Sequence, residues 1–410
     1  MGVVGSTVGF PGAYLARCAV RREALLVSPL PPLETGLATY AARILAITRD
    51  TVDWTVAFTA GSEALPGFRC IPLSGLDLGG SGLPAQRVFQ LGNSTHCSGV
   101  FHALRRWGGA GIFHETNFHH ILRHMADTTG DWAEYRRHLE YDYGPDAERV
   151  ARLMGRPAES REEYDGRLRT HPLFKRVTSW CSAIACLNNR ARSTLVAAGF
   201  DRGITMLGHP LDPLPDRMAP VSNRPSEELV VGVAGGFGYG RGWQHALSVV
   251  SALRAGRDAV LLAVGAGWPD PGLPWVRVTG RLPEAEYQSM LRTFHIALDL
   301  REGSCGETSG SLLELLRASV PTIISDSGAF TDIPSGAVLR VSTHDLPDSA
   351  TAAAHYLLSN PSLMEELASR GAAYAAKQAD TNAFSAMIHN LLDDSPMPHE
   401  GDRGLSCPGL

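Results

Sequence analysis

The chain lacks any uninterrupted apolar run near the ~18 residues a membrane-spanning helix requires, so it offers no transmembrane segment. Its basic pair Arg21–Arg22 follows the first apolar stretch instead of preceding it, the reverse of a secretory signal's order. The opening MGVVGS fits the myristoylation pattern Met-Gly-x-x-x-Ser, which is too short to carry an argument alone. Cysteine is sparse: seven residues, at 18, 70, 97, 181, 186, 305 and 407, form no Cys-x-x-Cys pair and are odd in number. That excludes a disulfide framework or a zinc knuckle and reads as reduced thiols in a cytoplasm. Basic excess is absent too, since net charge is −5, which argues against nucleic acid as a partner. With 44% hydrophobic and 19% charged residues over 410 positions, the chain is globular and long enough for two or three domains.

What is present is an alternation of short apolar strands with helical patterns, the signature of α/β layers built on parallel sheets. ALLVSPLPP (24–32) reads as a strand ending in a Pro-rich turn, and TGLATYAARILAIT (35–48) as an amphipathic helix. DWTVAFTAG, RVFQLG, AGIFHE and WCSAIACLNN supply further strands, and 131–175 reads as a helical insertion. The stretch 209–228 carries five prolines without periodicity, as a linker does. A second α/β run follows: ELVVGVAGGFG, a helix over Trp243 to Leu253, AVLLAVGAG, WVRVTG, the helix of PEAEYQSMLRTF, and IALDLR. The expected organisation is a first Rossmann-like domain over 1–210, a linker at 211–228 and a second such domain over 229–378. A helix at 379–395 then crosses back to the first domain, and a tail occupies 396–410. Two such halves put a binding cleft between the C-terminal ends of their sheets.

The richest segment is REGSCGETSGSLLELLRASVPTIISDSGAFTDIP, from Arg301 to Pro334. It reads as a Gly-rich loop, a helix starting near Ser309, a strand over Thr322 to Ser325 and a Gly turn. Such a loop aims unpaired backbone N–H groups and a helix dipole at one point, which suits an anion. Glu307 and Glu314 flank that point as acceptors for hydroxyl groups, a combination suited to a nucleotide-diphosphate sugar.

GETSGSLLELLRASVPTIISDSGAF resembles the donor-site segment of the retaining, GT-B-type glycosyltransferases of family four, in the branch with a GETSG loop. In that pattern a Glu, seven residues and a second Glu precede a Gly-x-Pro, an apolar strand and a Gly. Glu314 fits the second Glu, and Pro321 and Gly328 follow at the expected distances. Strict spacing from Glu314 lands on Gly306, and the neighbouring Glu307 is the available carboxylate. The resemblance implies two Rossmann-like domains facing each other across a cleft and transfer of a hexose with retention. A nucleotide-diphosphate sugar is the implied co-substrate, GDP-linked (GDP-mannose) ahead of UDP-linked, with no cofactor and no metal. It further implies that Glu314 holds the ribose, that His114 and Glu307 are catalytic groups at the sugar, and that Gly36, Gly236, Arg241, Thr308, Ser309 and Gly310 line the donor diphosphate. Asn93, in QLGNSTH, corresponds to an acceptor-side turn. A small-molecule or glycan acceptor and a cytoplasmic location follow, peripheral at a membrane if the acceptor is a lipid.

Other patterns fail on spacing. VVGVAGGFGYGRGWQHAL resembles a dinucleotide fingerprint, but the next strand ends in Gly265 to Gly267 with no acid to hold a ribose, so an NAD-linked oxidoreductase is disfavoured. Seven of the 15 histidines fall between 96 and 138, yet the fifth position from His114 is Phe118, not the His of a zinc-protease motif. Neither GETSG nor GGSGL matches the Gly-x-Ser-x-Gly elbow of hydrolases. A 2-epimerase of sugar nucleotides on the same fold remains the principal alternative to a transferase.

Overall fold

The structure is a computed structural model, and it describes residues 21–76, 82–200, 202–211, 228–238 and 240–395. Most of the expected linker, the tail from 396, MGVVGS, Cys18 and Cys407 lie outside the described residues.

The first sheet has seven strands: β1 (Arg22–Ser28), β2 (Val52–Phe58), β3 (Arg69–Pro72), β4 (Arg87–Leu91), β5 (Gly109–Phe113), β6 (Cys181–Cys186) and β7 (Ile204–Met206). Their order is β3-β2-β1-β4-β5-β6-β7 and every pairing is parallel. The central strands are buried on both faces, hence their near-continuous apolar runs such as Ala24 to Val27. One face is covered by α1 (Gly36–Thr48) and by α14 (Thr381–Asp393), the last helix of the described chain. There Tyr40, Ile44, Phe384 and Ile388 pack on Leu26, Val56 and Ile112. The other face carries α2 (Ser98–Trp107) and a helical insertion: α3 (His119–Thr129), α4 (Trp132–Tyr143), α5 (Ala147–Met154), α6 (Arg161–Thr170) and α7 (Lys175–Thr178). Asp142 ties this insertion together by accepting the backbone N–H groups of Phe174, Lys175 and Arg176 at 2.7–3.0 Å. α8 (Asn189–Ala197) follows β6.

The second sheet has six strands: β8 (Leu229–Ala234), β9 (Ala259–Val264), β10 (Val276–Val278), β11 (Ile296–Asp299), β12 (Thr322–Ser325) and β13 (Leu339–Val341). Their order is β10-β9-β8-β11-β12-β13, again all parallel. α9 (Trp243–Leu253) and α12 (Leu346–Leu358) cover one face; α10 (Glu284–Leu291), α11 (Gly310–Arg317) and α13 (Pro361–Gln378) pack on the other side. Both sheets are therefore α/β layers of doubly wound type. In each, strand order reverses at one point, between β1 and β4 and between β8 and β11. Loops leaving the carboxyl ends of strands at such a reversal open a crevice for ligands.

Candidate active site in the interdomain cleft

At the reversal of the second sheet, β11 ends in Asp299 and hands over to Arg301. Ser309 then caps α11: its Oγ accepts the N–H of Leu312 at 3.2 Å and donates to Asp299 Oδ2 at 2.7 Å. The amides of Gly310 and Ser311 come before the first possible intrahelical bond, so they open toward the cleft with the positive helix end. Arg241, from the glycine loop after β8, donates to Ser311 Oγ at 3.2 Å and to the Ala234 carbonyl at 3.1 Å, and pairs with Asp299 at 3.3 Å. Arg301 pairs with the same carboxylate at 3.2 Å and donates to Ser309 Oγ at 3.1 Å. Two guanidinium groups therefore share one carboxylate beside the helix N-terminus, and Glu307, 3.7 Å from Arg301, is a second and more exposed counter-charge. Burial, then the Arg301 charge, pushes the Arg241 pKa down to about 10, still protonated at neutral pH. Burial alone would raise Asp299, but Arg301 and Arg241 hold its carboxyl below the usual range.

The loop before α11 docks on the first half of the molecule. Thr116 donates its N–H to the Cys305 carbonyl at 3.0 Å, and Asn188 Nδ2 donates to the Gly306 carbonyl at 2.8 Å and to Thr308 Oγ1 at 3.0 Å. Thr308 in turn donates to the Leu187 carbonyl at 3.3 Å. Glu307 faces back into its own loop: Oε2 accepts from Ser304 Oγ at 3.0 Å and from the Cys305 N–H at 2.7 Å, while Oε1 lies 3.7 Å from Arg301.

From the first sheet, β5 delivers His114 and Glu115 to the same crevice. His114 stacks edge-on against Tyr40 with ring centroids 4.7 Å apart, and Tyr40 also meets His209 at 5.4 Å. His114 Nε2 and His209 Nδ1 are buried without a hydrogen-bond partner among the described residues. Burial, aided by the neighbouring His209, drops the His114 pKa to about 3, so the imidazole is neutral. The Glu115 carboxylate accepts the Asn93 N–H at 2.6 Å. Burial and then the charge of Glu307 push Glu115 up to about 8, so this carboxyl carries a proton at neutral pH. Asn93 Oδ1 accepts the Ile121 N–H at 2.9 Å, which fixes the start of α3.

Glu314, one turn into α11, is 8% exposed and is shared across the cleft. It accepts from Arg43 of α1 at 3.2 Å and from Gln288 of α10 at 3.1 Å. Burial raises its pKa, and Arg43 opposes the shift. Gly36 opens α1 on an exposed turn, with Thr35 capping the helix through Ala38 N–H at 3.1 Å.

The chain resembles sucrose-phosphate synthase (tll1590) from Thermosynechococcus elongatus, with a TM-score of 0.61 and 15% identity over 91% of this chain and 98% of that one. Anabaena HepE, solved with UDP and glucose, aligns at a TM-score of 0.57 and 12% identity over 91% and 100%. A Listeria monocytogenes protein described as a UDP-N-acetylglucosamine 2-epimerase aligns at 0.52 and 13% over 92% and 98%. The fold is GT-B. At these identities the likeness speaks for the fold alone. No family profile matches the chain, and no curated protein sequence does.

Within this GT-B cleft, Arg241, Thr308, Ser309, Gly310, Glu307 and Glu314 gather around the N-terminal end of α11, and His114 approaches from the opposite sheet. Gly236 lies on the exposed glycine loop, with nothing within 4 Å of the place a Cβ would occupy. Gly36 and Asn93 sit at the rim on the first-sheet side. Sequence reasoning passed over Arg301, Asp299, Glu115, Asn188, Arg43 and His209. A signal existed for the first three, because each stands at or just beyond the end of an apolar strand. None existed for Arg43 or His209, whose partners are 271 residues away or in the other half of the fold. Among the described residues no three His, Cys, Asp or Glu side chains form a group that could hold a metal ion, and no helix is long and apolar enough to cross a membrane.

Proposed function

We propose that the cleft binds a nucleotide-diphosphate sugar and transfers its sugar, with retention, to an acceptor hydroxyl. The observation that carries this reading is the anion site at α11. The amides of Gly310 and Ser311 at the helix start, Arg241 and Arg301 meet at the reversal point of the second sheet, with Glu307 3.7 Å from Arg301. In the reaction, the acceptor oxygen bonds to the anomeric carbon while the bond from that carbon to the diphosphate oxygen breaks. The electron pair leaves on the nucleoside diphosphate, and the hydroxyl proton passes to the departing phosphoryl oxygen. Arg241, Arg301 and the helix amides stabilise the charge that develops there, so no metal is required. Neutral His114 and the Glu307 carboxylate grip the sugar. Glu314 makes two hydrogen bonds now and has acceptor capacity left for ribose hydroxyls.

The GDP preference rests on the family resemblance, and the UDP held by HepE points the other way, so both bases belong in the test. Incubation with GDP- and UDP-linked sugars, with and without sugar acceptors, separates the readings. Transfer releases nucleoside diphosphate only when acceptor is present. Epimerisation alters the sugar nucleotide without acceptor, and the epimerase reading wins if that is all that occurs. Anomeric coupling constants of the product decide retention, and an unchanged rate in chelator is expected.

A further inference from the structure

We infer that a cavity beside the docked loop is an acceptor subsite for a small sugar or polyol bearing a phosphate or carboxylate. This inference rests on the transferase reading. The cavity measures about 240 Å³ and lies between α6, the first turn of α8 and the loop of Ser304 to Gly306. That volume is below the ~300–1,000 Å³ of pockets for larger ligands and suits one sugar-sized group.

Its charge is the informative property. Arg169 and Arg190 both line it, and none of its lining residues is a carboxylate. Elsewhere in the cleft each arginine has an acidic counterpart: Arg241 and Arg301 share Asp299, Arg43 meets Glu314, and Arg281 meets Glu34. The Arg190 guanidinium has no counterpart of this kind among the described residues. Glu307 is turned into its loop by Ser304 and Cys305, and Asp332 accepts the Asn189 N–H. Asn117 in the wall is spent on the Leu168 and Arg169 carbonyls. What the cavity offers a ligand is therefore the Arg190 fork, with the Arg169 guanidinium also in its wall, a setting that matches the planar or tetrahedral oxygens of an anion.

Position fits the role. Cys305 and Gly306 border the cavity and Glu307 is the next residue along; Thr116 borders it from the other side, next to Glu115. An acceptor anchored by its anion at Arg190 would direct a hydroxyl toward the two carboxyl groups, where the donor sugar is proposed to lie.

The test uses the full chain and calorimetry with four probes: glucose, glucose 6-phosphate, glucuronate and inorganic phosphate, with UDP and GDP titrated into the same samples. Arg190 is exposed, so Arg190→Gln and Arg190→Lys spare the core. Glucose 6-phosphate or glucuronate should bind at least about tenfold more tightly than glucose, the scale of one charge-assisted hydrogen bond. Arg190→Gln should erase that preference, Arg190→Lys should restore part of it, and nucleotide affinity should stay within about twofold. The proposal is overturned if neither sugar anion outbinds glucose, or if the preference survives Arg190→Gln. Nucleotide binding without anion preference defeats this inference alone. Anion preference without any nucleotide binding defeats the transferase reading and the acceptor role with it.

Discussion

At the scale of single residues, most cleft side chains in this structure hold the two halves in register, and chemistry must use the capacity that remains. Glu307 shows this best, since one carboxylate oxygen organises its own loop and the other lies near Arg301. Glu307→Gln keeps an oxygen for the Cys305 N–H but removes the charge. Turnover should fall about 10²-fold or more, with nucleoside diphosphate affinity nearly unchanged, because the lost contact is to the sugar. A variant that melts earlier but turns over normally would make Glu307 a loop brace only. Arg43 carries the converse lesson. It reaches a buried carboxylate from the opposite half, so Arg43→Met leaves Glu314 without its cationic partner. Removing one member of a buried pair costs roughly 3–5 kcal/mol, and chemical denaturation should show a loss of that order. No loss would mean that the pair forms and breaks freely in solution.

At the scale of elements, the loop after β8 and the start of α11 approach too closely for any side chain at Gly235. Its φ is +87°, and a Cβ there would lie 2.7 Å from Ser311 Cβ and 2.9 Å from the Arg241 guanidinium. Gly235→Ala should therefore lower stability by about 1–3 kcal/mol and weaken nucleotide binding by displacing Arg241. Gly236→Ala meets open space and should leave the melting temperature unchanged, so melting curves of the two variants check the packing directly. These elements were also the most legible in sequence. The helix over Trp243 to Leu253 and the strand over Thr322 to Ser325 coincide with α9 and β12, because a long apolar period and a β-branched run between turns leave little choice. β3, β7 and β13 are edge strands of three or four residues, too short for a period to register. α12 and α13 also went unread, their Ala-rich, mixed faces giving weak amphipathic contrast. Within the site, the α11 end was readable from its Gly-Ser cap. The cross-cleft partners were not, because no local pattern encodes a contact such as Arg43 with Glu314.

At the scale of the whole molecule, four imidazoles set the acid limit, His119 and His138 buried and His114 and His209 half-buried. Burial holds His114 and His138 down to about 3 and His119 and His209 to about 4, against an ordinary 6.5. The unfolded chain takes up these protons below pH 6.5 and the folded one does not, so stability should fall as pH drops from 6.5 toward 4. Glu115 works in the other direction. Its pKa is raised from 4.5 to about 8, so the stability it contributes is present below pH 4.5 and is lost as pH rises through 8. Melting temperature should peak near pH 6.5. Glu115→Gln, which mimics the protonated group, should gain on the wild type above pH 8; a flat profile from pH 7 to 5 would contradict these imidazole shifts. The central claim, a nucleotide-sugar cleft anchored at α11, is tested most directly by thermal shift with UDP and with GDP on the wild type and on Arg241→Ala. At about 100 times its dissociation constant, the preferred nucleotide should stabilise the wild type by about 2.7 kcal/mol, and Arg241→Ala should lose most of that gain. If neither nucleotide at millimolar concentration shifts the wild type, or if Arg241→Ala responds like the wild type, the account is wrong.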